Sequence, residues 1–388
     1  MAGAAADASP HVAVVGGGPA GAVAAVVLAR RGLRVTVLEA RPAPEMKPGE
    51  CLPPSLTPLL QRLGLEDMLR QDGHLRSYGN RFVWGSPEPG ERPFLAGTRG
   101  DGWHVDRQRF EARLAEHARD VGVEWRCGCR VARVRGAGEW RLELEANGGR
   151  EELRVDFLAD ATGRPARLAR RLGARRLRYD RLVGVVALLT SARPAVDTYT
   201  LVEATLEGWW YTAVLADGRM ATALFGDGDL LPRSLLGPGS DPNLWWRLLE
   251  ETRVTCDRVA GHGYEAAGAP LRVVPAESSR LDVIAGDRWL ALGDAAAAYD
   301  PLSSHGIGSA MGSGFYGGQA IADLLAGREE ARWAYLDVMQ NAYAAYLDLQ
   351  RRCYRQERRW PEAPFWRRRH AAGYCLEPLL DATGRSPV

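Results

Sequence analysis

The sequence predicts an α/β fold in which a Rossmann-like nucleotide-binding domain carries an inserted β-sheet domain and a C-terminal helical segment. Three observations lead to this prediction. An apolar strand at 12–15 runs into a glycine-rich turn and an amphipathic helix, and a second apolar strand at 289–292 ends in Gly-Asp. Between them, the segment 181–275 is dominated by short runs with strand character, which indicates an inserted sheet.

The first strand leads into a turn with the glycine spacing of a dinucleotide-binding site. Gly16 permits the tight turn, Gly18 lets backbone amides approach a pyrophosphate, and Gly21 allows the helix to pack closely on the strands. Ala20 lies in the same turn, and Glu39 ends the next strand, where a carboxylate can hold a pair of ribose hydroxyls. Because strand, turn, helix, strand and acid arrive in the required order, we discard a chance cluster among the 44 glycines of the chain.

A second signature lies far along the chain and indicates which nucleotide is bound. The strand that ends at Leu292 is followed by Gly293 and Asp294, then by a loop and a glycine-rich helix at 307–326. A glycine-rich turn alone is a weak signal. Paired with a distant strand that ends in Gly-Asp, it predicts FAD as the cofactor.

We predict that the nucleotide-binding domain is discontinuous, because the strands of the middle region interrupt it. The FAD-binding domain comprises residues 10–75, 100–180 and 276–328. The β-rich substrate domain comprises residues 76–99 and 181–275, and the C-terminal helical segment comprises residues 329–388. Within the substrate domain we predict strands at 182–189, 198–203, 209–215, 220–225 and 271–274 and a helix at 244–251.

Composition and charge argue against several classes of protein. The 388 residues are 46% hydrophobic and 25% charged. Their net charge is only +2, so no overall electrostatic field favours the binding of nucleic acid. No apolar run approaches the roughly 20 residues of a membrane-spanning helix, and the first residues lack the features of a signal peptide. The six cysteines show neither CxxC pairs nor metal-ligand spacing, so we expect reduced thiols, no metal site and a cytoplasmic protein.

Four motifs resemble the FAD-binding (GR2-type) fold of p-hydroxybenzoate hydroxylase and related flavoprotein monooxygenases. They are the glycine turn with Glu39, the pair Asp106-Arg107 at the start of a helix, the run Asp-Ala-Thr-Gly at 160–163 and the pair Gly293-Asp294. The resemblance implies that Arg107 meets the FAD phosphates and that Asp294 meets the ribityl chain. For Asp294, capping the segment that follows is a second role that can hold at the same time.

Three further runs resemble one branch of that fold, the flavin-dependent halogenases and the LodB-, GoxB- and QhpG-like maturation flavoproteins. These runs are Gly-Glu-Cys-Leu-Pro-Pro at 49–54, Gly-Trp-Trp-Tyr at 208–211 and Asp-Pro-Leu-Ser-Ser at 300–304. The resemblance implies that Pro301 to Ile307 lie along the isoalloxazine ring, with the amides of Gly306 and Ile307 near its N1–O2 edge. That edge becomes anionic in reduced flavin, which suits amides at a helix N-terminus.

Two reactions occur within this branch, and both begin from a flavin C4a-hydroperoxide formed with O2. Halogenases pass hypohalous acid to a lysine beyond the Gly-Glu loop, but Lys47 precedes this loop and is the only lysine of the chain. Ser303 stands where tryptophan halogenases carry a glutamate, and the run 209–213 retains only half of the halogenase motif Trp-x-Trp-x-Ile-Pro. These departures favour oxygen transfer over halogenation.

Three polar residues near the expected flavin are candidate catalytic groups. Glu50 is predicted to position substrate or transfer a proton, with a loop carboxylate held by backbone amides as the alternative. Lys47, alone in an arginine-rich chain, is a candidate compact charge, with a solvated surface cation as the alternative. His305 is a candidate proton donor to a peroxide, with a hydrogen-bonded loop histidine as the alternative.

The aromatic run Trp209, Trp210 and Tyr211 is the candidate substrate surface. Neighbouring residues on a strand point to opposite faces, so we expect one of the tryptophans in the core and the other toward a flat aromatic substrate such as an indole. Residues 351–370 hold eight arginines, for which a helix packed on the FAD domain and an acidic docking partner are the alternatives.

We therefore predict an FAD-dependent monooxygenase that hydroxylates an electron-rich aromatic group. By resemblance the target is a tryptophan, within a peptide or protein precursor or as a tryptophan-derived metabolite. Because the chain has no second glycine fingerprint and no NAD(P)H domain, a partner flavin reductase or direct NAD(P)H binding must reduce the FAD. The alternatives left open are a halogenase, a geranylgeranyl-reductase-like enzyme and a flavin-bound, non-catalytic module of a maturation complex.

Overall fold

The computed structural model describes residues 9–379, apart from 95, 96, 98, 137, 147, 238 and 267–270. The strands, β1 to β23 in chain order, are His11–Val15, Arg34–Glu39, Cys51–Leu52, Leu75–Ser77, Gly79–Val83, Gly90–Pro93, Gly102–His104, Glu124–Cys127, Arg130–Arg135, Trp140–Ala146, Gly149–Val155, Phe157–Asp160, Arg176–Arg178, Leu182–Thr190, Thr200–Ala204, Gly208–Val214, Met220–Asp227, Glu265–Ala266, Arg272–Pro275, Ser279–Leu281, Ala285–Gly286, Trp289–Ala291 and Ala297–Ala298. The helices, α1 to α10, are Pro19–Arg30, Thr57–Leu63, Glu66–Gln71, Arg107–Asp120, Arg167–Arg171, Pro242–Glu250, Val254–Gly261, Gly306–Leu325, Glu330–Gln356 and Pro364–His370.

The first sheet contains six strands in the order β21-β22-β12-β1-β2-β8. All of its neighbouring pairs are parallel except β21 with β22. Strands of a parallel sheet are covered on both faces, and every residue of β1 is accordingly buried. The chain leaves this sheet after β12 and returns to it with β21 and β22, which is the Rossmann-like arrangement that the two sequence signatures predict.

Helices α1 and α8 pack so closely that glycine is needed where they meet. A Cβ atom at Gly314 of α8 would lie 2.2 Å from the carbonyl oxygen of Ala20 in α1. Further along both helices, a Cβ atom at Gly318 would lie 3.0 Å from the side chain of Val27. The two helices therefore run in the same direction and begin at the same end of the molecule.

The second large sheet contains eight strands in the order β18-β14-β17-β16-β15-β5-β6, with β19 also paired to β14. Its strands come from residues 79–93 and 182–275. The strands and the helix predicted for this region are confirmed, each within two residues at either end. Both faces of the sheet are covered, since Trp209 lies in one hydrophobic core and Trp210 in another.

Helix α7 follows α6 directly and is absent from the sequence-based predictions. The carboxylate of Glu203 on β15 accepts hydrogen bonds at its start, from the amides of Arg253 at 2.9 Å and Thr255 at 2.7 Å. The hydroxyl of Thr252 adds a local cap by accepting from the amide of Cys256 at 3.0 Å, but the acceptor for the amides of Arg253 and Thr255 comes from a distant strand and leaves no local start signal.

The C-terminal helices α9 and α10 join the two large sheets. The indole of Trp84, next to β5, donates to the carbonyl of Cys353 at 2.8 Å, and the indole of Trp366 donates to the carbonyl of Thr205 at 2.8 Å. Within the described ranges, no helix is long and apolar enough to cross a membrane. The same part of the chain holds six free cysteines and no group of acidic, histidine and cysteine side chains placed to hold a metal ion.

Candidate active site

The N-terminus of α1 is open toward an anion. Gly16 adopts a φ of +108°, and a Cβ atom there would lie 2.2 Å from the carbonyl oxygen of Ala161. Gly18 is the N-cap, no side chain caps the helix, and its first turn contains no acidic residue. A Cβ atom at Gly18 would meet nothing within 4 Å. The amides of this turn therefore face open space with the positive end of the helix dipole behind them.

Glu39 lies at the edge of this turn, at the end of β2. Its Oε2 accepts a hydrogen bond from the amide of Gly17 at 2.7 Å, and its Oε1 accepts from the amide of Arg41 at 2.9 Å. Two backbone donors hold the carboxylate in one orientation beside the glycine turn. This is the placement that a ribose-binding acid requires.

A second open helix N-terminus belongs to α8. The 3-10 turn Pro301–Ser303 and Ser304, at a φ of +53°, lead into this helix. His305 is the N-cap residue but caps nothing with its side chain, and a Cβ atom at Gly306 would meet nothing within 4 Å. The His305 ring is exposed and contacts the carbonyl of Ser303 in its own loop. The amides of Gly306 and Ile307 thus begin a helix that starts at the same end of the molecule as α1.

Asp294 lies in the 3-10 turn Gly293–Ala295 between the two helix starts. Its Oδ2 is 3.7 Å from Nε of Arg164, and about a third of its side chain is exposed. The turn that contains it has no side-chain cap, so the structure places Asp294 in an ion pair instead of a capping role.

Arg107 and Lys47 share one buried carboxylate, that of Glu111. Nη2 of Arg107 donates to Oε1 at 2.5 Å and Nζ of Lys47 donates to Oε2 at 2.5 Å. Burial favours a higher pKa for Glu111, but the charges of Arg107 and Lys47 prevail and lower it. Lys47 therefore has a structural partner, and the structure gives no support to its predicted catalytic role.

Arg107 also fixes the loop that carries Glu50. Its Nη1 donates to the carbonyl oxygens of Pro48 at 3.0 Å and Gly49 at 3.2 Å. Its Nε is buried and has no hydrogen-bond partner among the described residues. A buried guanidinium donor without a partner is costly unless a ligand accepts from it, so this atom fits an anionic group of a bound cofactor.

Glu50 and Tyr211, predicted from separate motifs, are in contact. Oε2 of Glu50 accepts from the hydroxyl of Tyr211 at 3.3 Å, and Oε1 accepts from the amide of Gly49 at 3.0 Å. Glu50 is 4% exposed, and burial raises its pKa although Arg107, the amide and Tyr211 all act in the other direction. A carboxyl group with a raised pKa beside a phenol keeps its proton to higher pH than an ordinary glutamate.

The sheet face around Tyr211 carries small and apolar side chains. The strand register places Phe82, Val202, Tyr211, Ala223 and Val186 in one row across five strands. Phe82, on the strand next to the edge strand β6, is 38% exposed, whereas Ala223 and Val186 are buried. An apolar track therefore leads from solvent to the Glu50–Tyr211 pair.

The structure corrects the prediction that a tryptophan of this run stacks on substrate. Trp209 is 0% exposed, stacks on Phe225 with ring centroids 4.1 Å apart, and donates to Tyr354. Trp210 is 1% exposed and lies on the face opposite Tyr211, where it packs on Trp245 and borders a separate cavity of about 320 Å³. Alternation along the strand was predicted rightly, but both faces of this sheet are covered.

Sequence reasoning missed two residues that organise the site. Glu111 follows Arg107 by four residues on α4, and this helical spacing of opposite charges was a readable signal. Tyr354 of α9 donates to Asp300 beside the 3-10 turn and was not singled out. No local pattern marks it, because its partners lie 54 and 145 residues away in the chain.

The two open helix starts, the acid on β2 and the unpartnered guanidinium donor are the features of a dinucleotide-binding flavoprotein. The FAD binding domain family matches residues 10–213. LodB of Marinomonas mediterranea, a protein named as an FAD-dependent oxidoreductase, is 31% identical over 362 residues, which cover 92% of this chain and 96% of LodB. The chain belongs to this family of FAD-dependent oxidoreductases, and FAD is its cofactor.

Two solved structures extend the comparison. The flavin-dependent halogenase CmlS is 25% identical with a TM-score of 0.84, over 95% of this chain and 69% of CmlS. QhpG, a peptidyl tryptophan dihydroxylase essential for tryptophylquinone cofactor biogenesis, is 27% identical with a TM-score of 0.77, over 94% of this chain and 79% of QhpG. The predicted branch of halogenases and maturation flavoproteins is confirmed.

Proposed function

We propose that this protein is a monooxygenase that hydroxylates the ring of a tryptophan, within a peptide or protein or as a tryptophan-derived metabolite. The observation that carries the proposal is the buried Glu50–Tyr211 pair on the sheet face, combined with the bonding of the only lysine, Lys47, to Glu111. The first supplies a proton-holding group next to the expected substrate. The second commits the only lysine of the chain to an ion pair.

In the proposed reaction, FAD supplies the two-electron activation of dioxygen once it is reduced. One oxygen atom is added to the aromatic carbon and the other leaves as water, with two electrons and two protons drawn from the reductant and solvent. Oε2 of Glu50 holds one proton at the substrate face, and Tyr211 orients that carboxyl group. The apolar row from Phe82 to Ala223 holds the ring and excludes water.

A peptidyl substrate is supported by the open end of that row. Phe82 is exposed on β5, next to the edge strand β6, so a chain attached to the aromatic ring can extend into solvent there. QhpG, which covers nearly the whole of this chain in the comparison, acts on peptidyl tryptophan. We propose that a separate flavin reductase supplies the electrons, with direct reduction by NAD(P)H as the alternative.

The first experiment supplies the purified protein with FAD, a flavin reductase, NADH and air. Free tryptophan and tryptophan-containing peptides are tested as substrates with and without chloride and bromide, and the masses of the products are measured by mass spectrometry. We expect a gain of one or two oxygen atoms that does not depend on halide. Oxygen gain should persist in Lys47→Met, which removes the lysine without touching Glu50.

Halogenation is the second candidate, because CmlS shares the fold over 95% of this chain. Exchange of hydrogen for chlorine or bromine would replace the proposed function with this one. Loss of that exchange in Lys47→Met would then identify Lys47 as the relay. A protein that binds FAD but consumes no reductant in air with any substrate would instead be a non-catalytic module.

A further inference from the structure

Residues 301–307, here called the flavin-facing loop because we expect them to lie along the isoalloxazine ring, are fixed by hydrogen bonds to Asp300, whose carboxylate is buried. Its Oδ1 accepts from the amide of Leu302 at 2.8 Å, and its backbone carbonyl accepts from the hydroxyl of Ser303 at 2.8 Å. Both bonds fix the 3-10 turn that precedes α8. The orientation of the amides at Gly306 and Ile307 therefore depends on where Asp300 is held.

Helix α9 holds Asp300 through three side chains, and the first of them is Tyr346, whose hydroxyl accepts from the amide of Asp300 at 2.7 Å. Oδ2 of Asp300 accepts from the hydroxyl of Tyr354 at 2.7 Å and from Nε2 of Gln350 at 3.0 Å. The hydroxyl of Tyr354 in turn accepts from the indole of Trp209 on β16 at 3.1 Å. Asp300, Tyr354 and Trp209 are each 0% exposed, so no water competes for these bonds.

Strand β16 is thus connected by hydrogen bonds to the flavin-facing loop and to the loop of Glu50, the two loops that we expect to border the flavin. Trp209 connects it to the flavin-facing loop through Tyr354, and Tyr211, two residues on and on the same face, connects it to the Glu50 loop. We propose that Tyr354 is a positioning residue. Its single hydroxyl bonds to Trp209 of the eight-stranded sheet and to Asp300 beside the flavin-facing loop, and so sets the environment of the bound FAD. The proposal rests on FAD binding and not on the identity of the substrate.

The test is Tyr354→Phe, which keeps the ring that packs against Trp84, Phe365 and Trp366 and removes only the hydroxyl. FAD affinity is measured by fluorescence titration, and the visible absorption and emission spectra are recorded on the saturated protein. We expect the FAD dissociation constant to rise roughly fivefold, the effect of one lost hydrogen bond. We also expect the bound flavin spectrum to shift, which loss of stability alone would not cause.

Two variants serve as matched controls. Tyr343→Phe removes a buried hydroxyl from the same helix, and that hydroxyl has no hydrogen-bond partner among the described residues. Trp245→Phe removes a buried hydrogen bond, the one to the carbonyl of Val185, on the far side of the sheet. Neither should change the flavin spectrum. Trp245→Phe should lower the free energy of unfolding, which separates stability from positioning.

The proposal is overturned when Tyr354→Phe binds FAD with the wild-type spectrum and affinity, or when Trp245→Phe alters the flavin to the same extent. If Tyr354→Phe yields no folded protein, the variant Asp300→Asn tests the proposal instead. This change keeps the shape of the side chain but places an amide where Oδ2 or Oδ1 accepts hydrogen bonds. It should reproduce the shifted spectrum, and a wild-type spectrum would overturn the proposal.

Discussion

Glu50 is a buried acid whose proton is controlled by its neighbours. Burial raises its pKa, while Arg107, the amide of Gly49 and the hydroxyl of Tyr211 stabilise the ionised form. The protonated carboxyl therefore persists to higher pH than an ordinary glutamate. A step that needs this proton slows as the pH rises through the pKa of Glu50, which places the dependence on the alkaline limb of the pH profile.

Tyr211→Phe should move that alkaline limb to higher pH. The hydroxyl of Tyr211 stabilises the Glu50 carboxylate, so removing it raises the pKa of Glu50 further. The measurement is the turnover rate of the FAD-saturated enzyme as a function of pH. Glu50→Gln should abolish the limb, and a limb that moves to lower pH would contradict this account.

Lys47 should prove structural. Its side chain is 30% exposed and its ammonium group pairs with Glu111, which also binds Arg107. We expect Lys47→Met to lower the free energy of unfolding by about 1 kcal/mol and to leave the product unchanged. Lys47→Arg should restore most of that stability in urea unfolding. An enzyme that folds normally without Lys47 but forms no product would show that the lysine takes part in the chemistry.

The sequence indicated which residue types to expect at the site but not what each of them touches. Glu50 and Tyr211 were both predicted, and their contact joins motifs 161 residues apart. The partner of Lys47 is 64 residues away, so no local pattern separates an ion pair from a catalytic cation. For Trp210, strand alternation fixed the face but not the presence of α6 above it.

The crossing of α1 and α8 sets the positions of both open helix starts. Gly314→Ala would place a Cβ atom 2.2 Å from the carbonyl oxygen of Ala20, so the helices must move apart. We expect a loss of about 2 kcal/mol in the free energy of unfolding and weaker FAD binding, as for other overpacked cores. Gly312→Ala on the same helix meets nothing within 4 Å and should be neutral or stabilising. Equal effects in urea unfolding would refute the close crossing.

At the scale of elements, the ends of strands with alternating or continuous apolar runs were predicted within two residues, because the apolar side chains that bury the sheet faces belong to the strands themselves. Helix α7 was missed because Glu203, which lies on β15, supplies the acceptor for its first amides. Local pattern predicts an element when its stabilising contacts are local. It fails where they come from another part of the chain.

The C-terminal helices are part of the fold of the whole molecule. Arg369 on α10 is 1% exposed and donates to Asp227 at the end of β17, with Nη2 to Oδ1 at 2.8 Å. Arg369→Met leaves Asp227 buried with only the half-exposed Arg368, and we expect a loss of about 3 kcal/mol in the free energy of unfolding. Arg367→Met, at an exposed position of the same helix, should change it by no more than about 0.5 kcal/mol. Similar losses in both variants would show that the pair contributes little.

Strand β16 holds Trp209 and Tyr211 about 7 Å apart, the rise of two residues in an antiparallel strand. One of them is joined to the flavin-facing loop and the other to the Glu50 loop. The separation of the two loops is therefore fixed by covalent geometry, and widening it would break the pairing of β16 with β15 and β17. Under the proposed function, we expect such an enzyme to select substrates by the dimensions of the aromatic ring and to tolerate variation in the chain attached to that ring beyond Phe82.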